Sequence, residues 1–182
     1  TEWLRLLLGA ATDPDASLRF DAARLAVDYL VDSGRVAEAN GFVDELVGKG
    51  LPSLAGDALR ASVGATQRGA EHAMRGTASV IAQITESTDI RIVRLLAETL
   101  CRLGDHANAL PLWQRVADRT KHIADAWQVV ETAVRLKRCD LVRRLCQQWR
   151  EAGVHDARLL DAELAVLEQF APHEALQLLS EQ

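Results

Sequence analysis

Aromatic residues are scarce in this chain: one tyrosine and three phenylalanines stand beside four tryptophans among 182 residues. With so few, and with no sustained alternation of apolar and polar residues between turn signals, the sequence gives no reason to expect β-structure. Long apolar runs are missing as well. The stretch around Leu6 to Leu8 falls far short of the roughly 20 residues that a bilayer-spanning helix requires, so no membrane segment is expected. An excess of basic charge is also lacking: the net charge is −5 and the sequence pI about 5.5, which argues against a general nucleic-acid binder because phosphate neutralisation calls for a basic face.

Cysteine is limited to Cys101, Cys139 and Cys146, an odd number without CxxC spacing, which reads as small packing residues in a reducing, cytoplasmic compartment. The chain begins at Thr1 rather than Met, so a removed leader stays open. Catalytic signatures are absent: no GxGxxG, no GxxxxGK[ST], no HExxH and no GxSxG. None of His72, His106, His122, His155 and His173 shares a helix face with another at ligand spacing, so no metal site is expected. Acidic pairs such as Asp28 with Asp32 and Glu163 with Glu168 read as solvated helix faces rather than catalytic dyads. The expectation is a protein that is not an enzyme and carries no cofactor.

Helical periodicity is what the sequence does contain. With 48% hydrophobic and 26% charged residues it has the balance of a folded chain. After Asp89, the stretch IRIVRLLAETLCRLG places Ile92, Leu95, Leu96, Thr99, Leu100 and Leu103 on one face and Arg91, Arg94, Glu98 and Arg102 on the other, ending at Gly104. Helices are expected near 1–9, 15–32, 35–48, 53–66, 70–86, 89–103, 105–119, 122–138, 140–152, 156–170 and 172–181. Gly48-Lys49-Gly50-Leu51-Pro52 is the clearest loop between pairs. Turns recur at Gly34, Gly69 and Gly104, 35 residues apart, with Asp140 following after 36. In that register Ala39, Met74, Ala109 and Leu145 are equivalent inward positions, and four residues later come Val43, Ala78, Trp113 and Trp149. Trp113 and Trp149 are therefore expected to be core anchors. Gly56, Gly64, Gly69 and Gly76 should make the second unit the softest, and Pro111 should bend its helix.

The run Leu95 to Trp113 resembles the tetratricopeptide repeat, with Ala97, Leu100, Gly104, Asp105, Ala109 and Trp113 all in that family's register. Asp13-Pro14 is similar to the family's proline-marked junction. The resemblance implies an all-α fold, an α-α superhelix or solenoid of about five degenerate hairpins, forming one domain over 1–182 within a longer, bacterial protein. A closed helical bundle is the structural alternative.

It also implies a binding role: a scaffold or sensor module that takes a peptide or neighbouring domain in its concave groove. A regulatory arm of an enzyme whose catalytic domain lies elsewhere is the alternative, and an RNA-binding helical repeat the lesser one. Carried over by register, the groove positions are Asp21, Arg24, Asp28, Val31 and Asp32, then Gly56, Leu59, Val63, Thr66 and Gln67. The third unit adds Arg91, Arg94, Glu98, Cys101 and Arg102, and the fourth Trp127, Val130, Val134, Lys137 and Arg138. Asp28, Val63, Glu98 and Val134 stand where the family's carboxylate clamp would need asparagines, which argues against that activity. The partner-binding residues expected from this register are Arg91, Arg94, Arg102, Trp127, Lys137 and Arg138, with an acidic protein or peptide as partner.

Overall fold

A computed structural model describes residues 6, 7, 9–11, 16–66, 70–153, 157–170 and 172–173. The expected helices 1–9 and 172–181, the Asp13-Pro14 junction and the turn at Gly69 lie wholly or largely outside these residues. Among the described residues the chain is all-helical, without strands, and its helices pack sequentially on their neighbours as in a helical repeat. They are α1 (Ala16–Asp32), α2 (Val36–Gly48), α3 (Ser53–Gly64), α4 (Ala70–Ile81), α5 (Ile90–Arg102), α6 (His106–Thr120), α7 (Ile123–Arg135), α8 (Cys139–Glu151) and α9 (Ala157–Phe170). The residues group into two compact units, Thr1–Gly104 and Asp105–Gln182.

Local chemistry sets several of the helix ends. The Asp89 side chain accepts the amide of Arg91 at 2.9 Å and starts α5; Asp105 accepts that of Asn108 at 3.3 Å and starts α6. At the end of α1, Gly34 is left-handed at φ 73° and donates to the carbonyl of Val31, while Arg35 donates to that of Leu30, a paired closure that satisfies two helix-end carbonyls. Gly50 and Leu51 close α2 the same way, on Val47 and Leu46. The helix expected over 70–86 stops at Ile81, because the segment before α5 folds on itself, with the Thr85 amide donating to the Thr88 hydroxyl at 2.9 Å. Pro111 lies inside α6 on its exposed side, and the carbonyl it leaves unpaired belongs to exposed Ala107.

In the first unit α3 is the hub, packing against α1, α2, α4 and α5. Its sequence is almost entirely small: Ala55, Gly56, Ala58, Ala61 and Ser62 are buried together with Leu59 and Val63. Small side chains let several helix axes approach at once. Gly56 is the tightest point, since a Cβ there would overlap the Val47 side chain of α2. The glycine that lowers intrinsic helix propensity in the second hairpin is thus also what admits its neighbour.

The second unit joins α6 to α7, α7 to α8, and α9 to both α7 and α8. Here the repeat register departs from expectation. The turn after α7 is made by Lys137, left-handed at φ 56°, with its amide on the Val134 carbonyl and that of Arg138 on Ala133. This is the closure seen at Gly34, so Lys137, and not Asp140, is its equivalent. Five residues beyond Gly34, Gly104 and Lys137 lie Ala39, Ala109 and Val142, each 0% exposed, and four residues further Val43, Trp113 and Cys146, all buried. Leu145 and Trp149 are only half-buried. A slip of one residue affects the second hairpin, where Ala73, Thr77 and Val80 are buried while Met74 and Ala78 are exposed. The Thr77 hydroxyl is accommodated by donating to the Ala73 carbonyl at 2.8 Å.

The two tryptophans should therefore differ in stability measurements. Trp113→Ala empties a buried site and should cost about 3–5 kcal/mol in urea unfolding, whereas Trp149→Ala should cost well under that. Equal losses would restore the original register.

Candidate functional site

On the first unit the charged faces of α1 and α5 meet. Asp21, Arg24 and Asp28 follow helical spacing along α1, as do Arg91, Arg94, Glu98 and Arg102 along α5. Arg24 Nη2 lies 2.5 Å from Glu98 Oε2, and Arg91 Nη1 lies 3.4 Å from Asp21 Oδ2. Arg91 also donates to its own helix cap, Asp89, and its guanidinium sits 5.9 Å from the centre of the Phe20 ring. Arg102 donates to the Ser62 hydroxyl of α3 at 2.7 Å. Arg94 is half-buried. Gly56, Leu59 and Val63, placed by register in the apolar middle of the groove, are buried inside the unit. The acidic and basic ends of the expected groove in this unit thus bond to one another.

Burial pushes Glu98 above the ordinary glutamate value despite the opposing fields of Arg24 and Arg102, with Asp28 adding to the rise. A carboxyl raised in the folded state stabilises fully below its unfolded value, and that contribution is lost as pH rises through the folded one. Stability relative to Glu98→Gln should accordingly decline between about pH 4 and pH 7 in parallel urea titrations. A difference that grows over this range would mean that the Arg24 pair outweighs dehydration.

On the second unit, Trp127, Glu131 and Val134 succeed one another along α7 and line a cleft of about 270 Å³ completed by Asp161 and Ala162 of α9. Trp127 is half-buried. Glu131 is held by Arg135 at 3.1 Å, and Asp161 is exposed. Lys137 and Arg138 are not on this helix face. Because α7 ends at Arg135, Lys137 is the left-handed turn residue and Arg138 the residue preceding α8, both exposed. Val130, also placed in the groove by register, is 0% exposed. Shifting the register to the Lys137 turn brings Trp127, Glu131 and Val134 to the equivalents of Arg24, Asp28 and Val31. Glu131 was missed because the fourth turn was read at Asp140 and not at Lys137, and Asp161 because it lies on α9, beyond the four units to which groove positions were carried.

A larger cleft of about 590 Å³ opens among α6, α7 and α8, walled by Ala117, Ile123, Leu145 and Trp149, with Asp118 and Lys121 among the polar residues around it. Behind α8, Glu163 of α9 is 4% exposed and takes two hydrogen bonds from Arg150, at 2.5 and 3.3 Å. Cys146 is 0% exposed and its thiol is pushed up to about 11 by burial and by the Glu163 carboxylate, so it stays protonated and unreactive. The acidic pairs are parted in the same way: Glu163 is bonded inside, Glu168 is exposed, and Asp28 faces Arg24 at 3.7 Å. No group of three or more His, Cys, Asp or Glu is placed to hold a metal ion, and no helix is long and apolar enough to cross a membrane, among the described residues.

Arg150→Ala would leave the Glu163 carboxylate buried without its cation. The expected loss is about 2–4 kcal/mol in urea unfolding, below the figure for a fully buried pair because Arg150 reaches solvent. Compared with known proteins, the chain matches no family model and, at a significant level, no curated sequence.

Proposed function

We propose that this chain is a helical-repeat interaction module whose binding surface is the α7–α9 face of the second unit. The observation that carries the reading is the cleft in which Trp127, Glu131 and Val134 stand together, one helical turn apart, against Asp161 and Ala162. In the resembling tetratricopeptide family the corresponding first-helix positions line the peptide groove. A half-buried indole is also a favourable anchor, offering large contact area with little side-chain entropy to lose.

This reading moves the expected site away from the first unit. An acidic peptide approaching Arg91 or Arg102 would have to displace Asp89, Asp21 and Ser62, which already bond these guanidinium groups. Replacing one carboxylate by another gains little. The α7–α9 face adds the apolar surfaces of Val134 and Ala162, which gain from being covered.

The test is selection of peptides from a random display library on the immobilised chain. Selected peptides should bind with micromolar dissociation constants and lose about tenfold or more on Trp127→Ala, a hot-spot loss of about 1.4 kcal/mol or greater, with the helical circular-dichroism spectrum unchanged. Binders indifferent to Trp127→Ala would remove the α7–α9 face from the account.

A further inference from the structure

We infer that the α7–α9 cleft recognises a cationic side chain, and that the partner presents an arginine there. The inference rests on the reading of this face as the binding surface and adds the chemistry of what enters it. Three features of the lining converge. The Trp127 indole lines the cleft, and a planar guanidinium stacks well on an aromatic ring. Val134 and Ala162 form apolar walls against which the methylene stem of an arginine can lie while its head stays at the mouth. Glu131 and Asp161 place two carboxylates around the same space.

One of the two charges is already matched and the other is not. Glu131 shares its carboxylate with Arg135, whereas Asp161 is exposed and makes no ion pair among the described residues. An arriving guanidinium can reach a carboxylate with its fork of donors while its plane rests on the indole. An acidic side chain would meet two like charges at the same point. A partner of the opposite sign to the one read from the arginines of α5 is therefore favoured. The size agrees: about 270 Å³ lies just below the roughly 300 Å³ at which small-molecule pockets begin, and suits a single long side chain.

The experiment uses the whole chain labelled with ¹⁵N and follows the indole N–H resonance of Trp127, assigned by its absence in Trp127→Phe. The probes are three short alanine-glycine peptides of equal length carrying two arginines, two norleucines or two glutamates. The arginine peptide should shift the Trp127 resonance saturably, with an affinity that falls as salt is raised and that drops about threefold to tenfold in Asp161→Asn. The glutamate peptide should leave the resonance in place. Equal affinity for the norleucine and arginine peptides, or no effect of Asp161→Asn, would overturn the cation assignment while leaving the face as a peptide groove. If neither these probes nor any library-selected peptide moved the Trp127 resonance, the inference and the reading beneath it would both fall.

Discussion

The close approach of helices to α3 is the constraint on which the first unit depends. A helix built from Ala55, Gly56, Ala58, Ala61 and Ser62 buries little area of its own per residue, but it lets four other helices pack on it. The Gly56 contact with Val47 shows how little room is left. Because α1 and α5 both lean on so thin a helix, their outer faces come within reach of each other, and Arg24 can meet Glu98 and Arg91 can meet Asp21. The same small residues that allow the packing thereby neutralise the charges that would otherwise form a groove. The pair is no large source of stability, since burial already pushes Glu98 toward its neutral form.

The second unit is held differently. Bulkier side chains, Trp113, Val116, Val129 and Val130, fill its interior, and the α8–α9 contact is secured by Arg150 reaching the buried Glu163. Truncating such a pair costs more than the pair contributes, because the remaining charge has no solvent to turn to. That lock keeps α9 registered on α8 and gives α9 a defined face toward α7. The cleft at Trp127 needs this, since two of its walls come from α9. The shape of this cleft therefore depends on an ion pair that is not itself part of its lining.

The places where the repeat could be misread have a common cause. Gly34, Gly50 and Gly104 announce helix ends because only glycine takes a positive φ without penalty. Lys137 takes the same conformation at φ 56° and announces nothing. Reading the next turn at Asp140 displaced the fourth unit by three residues, which put Trp149 in place of Cys146 and moved Lys137 and Arg138 from a turn onto a helix face. In α4 the error is one residue and comes from counting from Gly69. Burial of Thr77 in place of Ala78 is not suggested by polarity, because its hydroxyl is satisfied within its own helix.

Amphipathic spacing, cap residues and glycine turns were enough by themselves to determine an all-helical architecture among the described residues, the positions of most of its helices to within a few residues and the burial of Leu95, Leu96, Ala109 and Trp113. These properties are local: they follow from hydrogen bonds and apolar faces within one or two turns of chain. Which charged faces meet, which tryptophan is enclosed and which carboxylates share a cleft with Trp127 were decided by the tertiary structure alone. Residues such as Arg24 and Glu98, or Trp127 and Asp161, lie far apart in sequence, and only the packing of intervening helices sets the distance between them.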